Sequence, residues 1–179
     1  MNLSMLVRRT FAGVVVTAAL SFPVHAAAAQ SDHDMQTLAS YRLTESGLRK
    51  YYKAMDNLTR AVMKDTLLAE KFESASSDGD DIAAMAAKYD RVPPFKNALT
   101  AAGLTSTEFA TFALSYMQAA MTYAAMTQGP ESLRVKVLPK GTPKANVDFV
   151  GAQQALIQQL DKELKALQAP DSGGGDTSE

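Results

Sequence analysis

Thr105–Gln128, TSTEFATFALSYMQAAMTYAAMTQ, is the stretch that decides the fold. Its first four residues, Thr105-Ser106-Thr107-Glu108, fit a capping box. The Thr105 hydroxyl accepts from the Glu108 amide, and the Glu108 carboxylate reaches back to Thr105. Leu104 and Phe109 occupy the two positions of a hydrophobic staple, and Gly129-Pro130 stops the helix near Gln128. From Phe109 to Gln128 there is no charged residue. A surface helix carries a charged face, so this one is expected to be buried among other helices.

At about 100° per residue, Thr111, Ser115, Gln118 and Thr122 fall on one narrow stripe of that helix. Leu114, Met117 and Met121 flank it, and Phe109, Tyr116, Ala120 and Tyr123 lie broadly opposite. The plain reading is a core helix whose polar stripe meets solvent or hydrogen-bonds its neighbours. The functional reading is the wall of a ligand or partner site, with Ser115, Gln118, Thr122 and Met121 as the candidate binding residues. A membrane-inserting helix is the least favoured, because Gln and repeated Ser/Thr are costly in lipid.

Four further helical segments flank this one, which predicts an all-α domain, a small bundle of about five helices around the uncharged segment at about 105–128. The first runs from about Thr44 to Lys64, with Leu48, Tyr51, Met55, Leu58 and Val62 on one face. After a polar stretch, Ser74 to Asp80, a short helix covers about Asp81 to Tyr89 with Ile82, Met85 and Tyr89 inward. Pro93-Pro94 opens the third, since proline suits a first turn, and Gly103 followed by Leu104 is placed to close it with a left-handed cap. Leu133, Val135 and Val137 alternate with polar residues and read as a short extended arm without a partner strand. Asn146 is the expected N-cap of the last helix, which runs to about Gln168 with Val150, Ile157, Leu160, Leu164 and Leu167 inward.

The ends read differently. Residues 1–29 have a short n-region ending in Arg8-Arg9, an apolar run from Phe11 to Phe22, then Pro23 and the small residues from Ala26 to Ala29, and 1–26 is the expected leader. That order describes a secretory signal peptide, cleaved after Ala26 or, second choice, after Ala29. The apolar run is shorter than the roughly 20 residues of a membrane span, so no stable span is expected after cleavage. Arg8-Arg9-Thr10-Phe11 matches part of a twin-arginine signal. A Sec signal is preferred, because Ala12 stands where a larger apolar residue is usual. The expected location is periplasmic or secreted. Residues 27–42 read as a flexible lead-in, 43–168 as the helical domain, and 169–179, rich in Gly, Ser and Asp, as a disordered tail.

Composition narrows the chemistry. The chain has 179 residues, enough for one domain with a real core. Without Arg8 and Arg9 it holds 16 basic and 19 acidic residues, a balance that offers nothing to nucleic acid. There is no cysteine, so disulfides, thiolate metal sites and covalent c-type haem are excluded. Beyond the leader the only histidine is His33, so a histidine-based triad or zinc site lacks its members. Asp32-His33-Asp34 reads as a solvated polar run rather than a metal site, and Asp78-Gly79-Asp80-Asp81 as an acidic loop capping a helix rather than a calcium loop. Glu70, Glu73, Asp161 and Glu163 read as solvated helix faces, and Met117 with Met121 as core filling rather than a copper site. No cofactor is expected.

Leu43-Thr44 with Lys50-Tyr51, Pro94 before Ala98-Leu99, Ala102-Gly103-Leu104-Thr105 with Glu108-Phe109, and Asn146-Val147-Asp148-Phe149-Val150 resemble a group of exported helical proteins of Gram-negative bacteria. The resemblance spans about Leu43 to Leu167 and implies a helical fold and export. The group has no assigned activity, so it implies no site. Exported helical stress chaperones with a Leu-Thr-x-x-Gln signature are a second comparison, from which Leu43-Thr44-Glu45-Ser46-Gly47 departs at the glutamine. The expectation is a non-enzymatic envelope protein that binds a protein partner or a small apolar ligand. The alternatives are a chaperone-like envelope-stress protein and an enzyme working with carboxylates, Tyr or Lys.

Overall fold

The computed structural model describes residues 32–75, 81–128, 131, 134 and 137–168. The leader 1–26, the tail 169–179, Asp78 to Asp80, Leu133 and Val135 lie outside the described residues. Among the described residues there are eight α-helices and no strand: α1 (Asp32–Ser40), α2 (Glu45–Lys64), α3 (Leu67–Ser74), α4 (Ile82–Asp90), α5 (Pro93–Ala101), α6 (Ser106–Thr127), α7 (Lys144–Ala152) and α8 (Gln154–Gln168). The described chain is all-α, with eight helices among the described residues where about five are expected. Two short helices, α1 and α3, and an interruption at Gln153 account for the difference.

Local chemistry sets the ends of these elements. Thr44 caps α2 by accepting from Gly47 N at 3.1 Å. Asp81 caps α4 by accepting from Ala84 N at 2.6 Å. Both halves of the expected capping box are present on α6, with Glu108 N to Thr105 Oγ1 at 3.1 Å and Thr105 N to Glu108 Oε2 at 2.8 Å. Pro93 and Pro94 occupy the first turn of α5. At its other end Gly103 adopts φ 76°, its N donating to Thr100 O (2.9 Å) while Leu104 N donates to Leu99 O (3.1 Å). That paired closure is a Schellman motif, and it needs the left-handed residue that glycine supplies.

α6 packs against α1, α2, α4, α5 and α7. Its N-terminal half is enclosed, with every residue from Phe109 to Ser115 buried, whereas beyond Tyr116 only Ala119 and Thr122 are. α2 buries its expected face of Leu48, Tyr51, Met55, Leu58 and Val62, mainly against α5 and in part against that half of α6. Tyr51 stacks on Phe109 and Phe112 at centroid distances of 5.3 and 5.2 Å, and Tyr89 of α4 meets Phe109 edge-on at 5.1 Å. Phe72 carries α3 onto this cluster through Tyr89 and Phe95, at 4.9 and 5.1 Å.

Three expectations change. Residues 27–42 read as a polar lead-in, but Asp32–Ser40 is helical, with Leu38 buried beside Ile82, Ala110 and Leu114. Asp34 is buried too and accepts from Ile82 N at 3.3 Å, so it assists Asp81 at the start of α4. Asn146 is not an N-cap, since Pro143 holds that position. Asn146 sits inside α7, 1% exposed, accepting from Leu43 N (3.0 Å) and donating to Tyr41 O (3.1 Å). It thereby satisfies the extended backbone ahead of α2, which has no helical partners of its own. The last helix is interrupted at Gln153, where φ is -97° and ψ 13°, although Gln153 N to Phe149 O and Ile157 N to Gln153 O keep helical spacing at 2.9 Å. Nearby, Gly151 makes room for the Tyr123 ring, since a Cβ there would stand 2.8 Å from Tyr123 Cε2. No helix of the described residues is long and apolar enough to cross a membrane.

Candidate functional site

The four candidate residues on α6 do not share one environment. Ser115 is 2% exposed, and its hydroxyl has no hydrogen-bond partner. Thr122 is buried, Gln118 is half-buried, and Met121 is 54% exposed. Thr111, on the same stripe, donates back to Thr107 O at 2.8 Å, a bond within its own helix. Gly141, at φ 79°, brings the loop before α7 close to Gln118, with a Cβ there 3.8 Å from Gln118 Nε2 and 3.8 Å from Met35 O. Thr142 beside it also buries a hydroxyl without a partner. Each such group costs about 1–3 kcal/mol when dry, and a buried water is the ordinary remedy.

A groove lies instead between α2 and α8, about 340 Å³ and open to solvent. Arg49, Tyr52, Lys53, Asp56 and Arg60 form the α2 wall; Leu160, Glu163, Leu164 and Leu167 form the α8 wall. Arg49, Lys53, Asp56 and Arg60 are spaced by three and four residues, so they run as one row beside the buried face of α2. Leu160, Leu164 and Leu167 are spaced in the same way. They were expected to face the core, and Leu160 and Leu164 do pack against it, but all three are only half-buried; Ile157 is the one residue of α8 that is buried.

Tyr52 joins the two walls. Its hydroxyl donates to Asp161 Oδ1 at 2.6 Å, the short distance of a charge-assisted bond, with Tyr116 as a neighbouring phenol. Burial holds the Tyr52 pKa far above its ordinary value of 10.0, and the bond to Asp161 raises it further. Burial raises Tyr116 as well, the neighbouring Tyr52 hydroxyl offsetting part of the effect. Both phenols are therefore donors at neutral pH and neither is a base. Around them, Arg49 pairs with Glu45 at 2.8 Å and Arg60 with Asp56 at 3.0 Å. Among the described residues, Lys53 and Glu163 have no ion-pair partner; Glu163 accepts a hydrogen bond from Gln159 at 2.9 Å.

The fainter sequence candidates take structural positions. Glu73 reaches Lys88 at 3.9 Å, and Lys88 lies 4.5 Å above the Phe72 ring. Met117 packs against the cluster of Leu38 and Leu114, while Met121 faces solvent. Among the described residues no group of three or more His, Asp or Glu side chains is placed to hold a metal ion. The groove escaped sequence reasoning because its walls lie about a hundred positions apart. The one local signal was the crowding of Arg49, Lys53 and Arg60 beside an apolar face. Compared with protein-family models, curated protein sequences and solved structures, the chain matches none.

Proposed function

We propose that this chain is an exported, non-enzymatic binding protein of the cell envelope, a small bundle arranged around α6 whose α2–α8 groove receives its ligand. The observation that carries the reading is the half-covered leucine row Leu160, Leu164 and Leu167 along an open groove of about 340 Å³. At about 340 Å³ the groove falls in the size range of small-molecule sites, about 300–1,000 Å³. Export rests on the order of charged, apolar and small residues in 1–29. The enzymatic alternative draws on the same groove, which gathers Tyr52, Lys53, Asp56 and Glu163. Against it, Tyr52 is held protonated and bonded to Asp161, so it is not free to accept a proton. The chaperone alternative loses its signature at Gly47, where a Cβ would stand 2.8 Å from Phe112 Cε2 and a glutamine has no room.

Native mass spectrometry of the processed protein, purified from its own envelope, tests the reading. The expected result is an added mass that leaves on denaturation and is missing from a Leu160→Gln/Leu164→Gln variant. A bare mass for the native protein, with no partner captured by crosslinking at Lys53, would overturn it. The same spectrum tests the expected cleavage after Ala26.

A further inference from the structure

The chain has neither Trp nor Cys, so its tyrosines are the side chains that most readily give up a single electron. Five of its six tyrosines belong to one network of neighbouring rings. Tyr51 is at the centre, its ring centroid 5.7 Å from Tyr52 and 6.0 Å from Tyr116. Phe109 joins Tyr51 to Tyr89 at 5.3 and 5.1 Å, and Phe112 joins it to Tyr41 at 5.2 and 6.4 Å. An electron vacancy formed on any of these five rings can therefore pass among them. Where it comes to rest depends on the proton. A phenol that has lost an electron is a strong acid, and the radical persists only if the proton leaves as well. Retained, it would leave a positive charge in an apolar interior, which is costly without a partner. The Tyr52 hydroxyl has an acceptor in place, Asp161 Oδ1 at 2.6 Å. Tyr51 and Tyr89 are equally buried, at 8% exposure, and among the described residues no carboxylate accepts from either hydroxyl.

We propose that Tyr52 and Asp161 form a redox site, a one-electron, one-proton couple that is oxidised by outer-sphere one-electron oxidants. The oxidant takes one electron from the Tyr52 ring and is itself reduced by one electron. The Tyr52 O–H bond breaks as an O–H bond forms at Asp161 Oδ1, which leaves a neutral phenoxyl radical beside a neutral carboxylic acid. The pair passes from one negative charge to none, so the oxidation buries no new charge. A one-electron donor reverses both transfers, and the proton returns from Asp161 to Tyr52. The other tyrosines of the network relay the vacancy and do not keep it. This goes beyond the binding reading and holds whether or not the groove carries a ligand.

The test is flash oxidation of the full processed protein by photogenerated tris(bipyridine)ruthenium(III), followed by phenoxyl absorbance and by electron paramagnetic resonance of the freeze-trapped radical. The unsubstituted protein is expected to give a phenoxyl signal with a strongly coupled proton that exchanges in heavy water, the mark of a hydrogen bond from the newly protonated Asp161. Tyr52→Phe should remove that signal. Asp161→Asn should slow phenoxyl formation by about tenfold, the scale of one hydrogen bond to a charged group. Asp161→Glu should restore part of the rate. A solvent deuterium isotope effect on the rate, present in the unsubstituted protein and absent from Asp161→Asn, separates proton transfer from a purely structural bond. Helical circular dichroism checks each variant first. Should Tyr52→Phe unfold, the exchangeable coupling in the unsubstituted protein decides. A phenoxyl signal without that coupling would overturn the proposal. So would the same signal from a folded Tyr52→Phe, or a rate that Asp161→Asn leaves unchanged.

Discussion

α2 and α8 are both amphipathic helices with an apolar row at three- and four-residue steps, yet the fold treats them oppositely. α2 buries Leu48, Tyr51, Met55, Leu58 and Val62, and Leu48 is 0% exposed. α8 buries Ile157 and leaves Leu160, Leu164 and Leu167 half-covered. α2 is enclosed because α3, α5, α6 and α8 all pack on it, whereas the larger contact of α8 is with α2. An apolar row therefore says which side of a helix avoids water, and not whether its own fold supplies the cover. The leucines left over on α8 are what makes the groove.

Substitution of matched leucines is the most direct way to break the comparison. Leu48→Ala should destabilise the protein by about 2–5 kcal/mol in urea unfolding, because it opens a cavity in a filled core. Leu164→Ala should lose less than about 1 kcal/mol, since its side chain is only partly removed from water. Equal losses at the two sites would mean that α8 is covered after all, and the groove would close as a site.

Two side chains, Tyr52 and Asn146, tie the enclosed region to the α7–α8 arm, and each gives an intermediate effect. Tyr52→Phe removes the 2.6 Å bond to Asp161 and should cost about 1.5–3 kcal/mol, the range for a hydrogen bond to a charged group. Asn146→Ala strands the Leu43 amide and the Tyr41 carbonyl and should cost about 1–3 kcal/mol, read from the same unfolding curves. Retention of full stability by both would show that α7 and α8 are held by packing alone.

Alkali sharpens the contrast without mutation. Burial raises the pKa of Tyr51, Tyr52, Tyr89 and Tyr116 above the ordinary 10.0. The folded chain then keeps protons that the unfolded chain releases, so stability is intact below about pH 10 and declines as pH rises beyond it. Phenolate absorbance for these tyrosines should appear together with loss of helical circular dichroism. Their ionisation while the protein stays folded would contradict the enclosed state of the α2–α6 interface.

The smallest expected effect lies at the α6 cap. The bonds from Thr105 hold the exposed Glu108 carboxyl below its ordinary value of 4.5. A depressed carboxylate adds stability above the unfolded pKa and loses it as pH falls through the folded pKa. Glu108→Gln should therefore lower neutral stability slightly, leave stability in acid almost unchanged, and so flatten the acid side of the stability curve. An acid limb identical to that of the parent would mean that the cap contributes nothing measurable.

What the sequence determined by itself was local. Thr44, Asp81, Pro93-Pro94, Gly103 and the Thr105–Glu108 box each act within four residues of their own position, so the limits of α2, α4, α5 and α6 were legible before any packing was known. The short α1 and α3 were not. Each is stable through a few residues pressed onto distant partners, such as Leu38 on Ala110 and Phe72 on Tyr89. The fate of the α6 stripe was equally hidden, since Ser115 and Met121 differ in burial by neighbours outside their helix. Tertiary structure alone decided that Asn146 serves a backbone 103 positions away, that Tyr52 meets Asp161 across 109, and that the α8 leucines, half-covered by the core, also border a row of charges. Caps are set by bonds within one turn, whereas a groove exists only once two helices fail to close completely against each other.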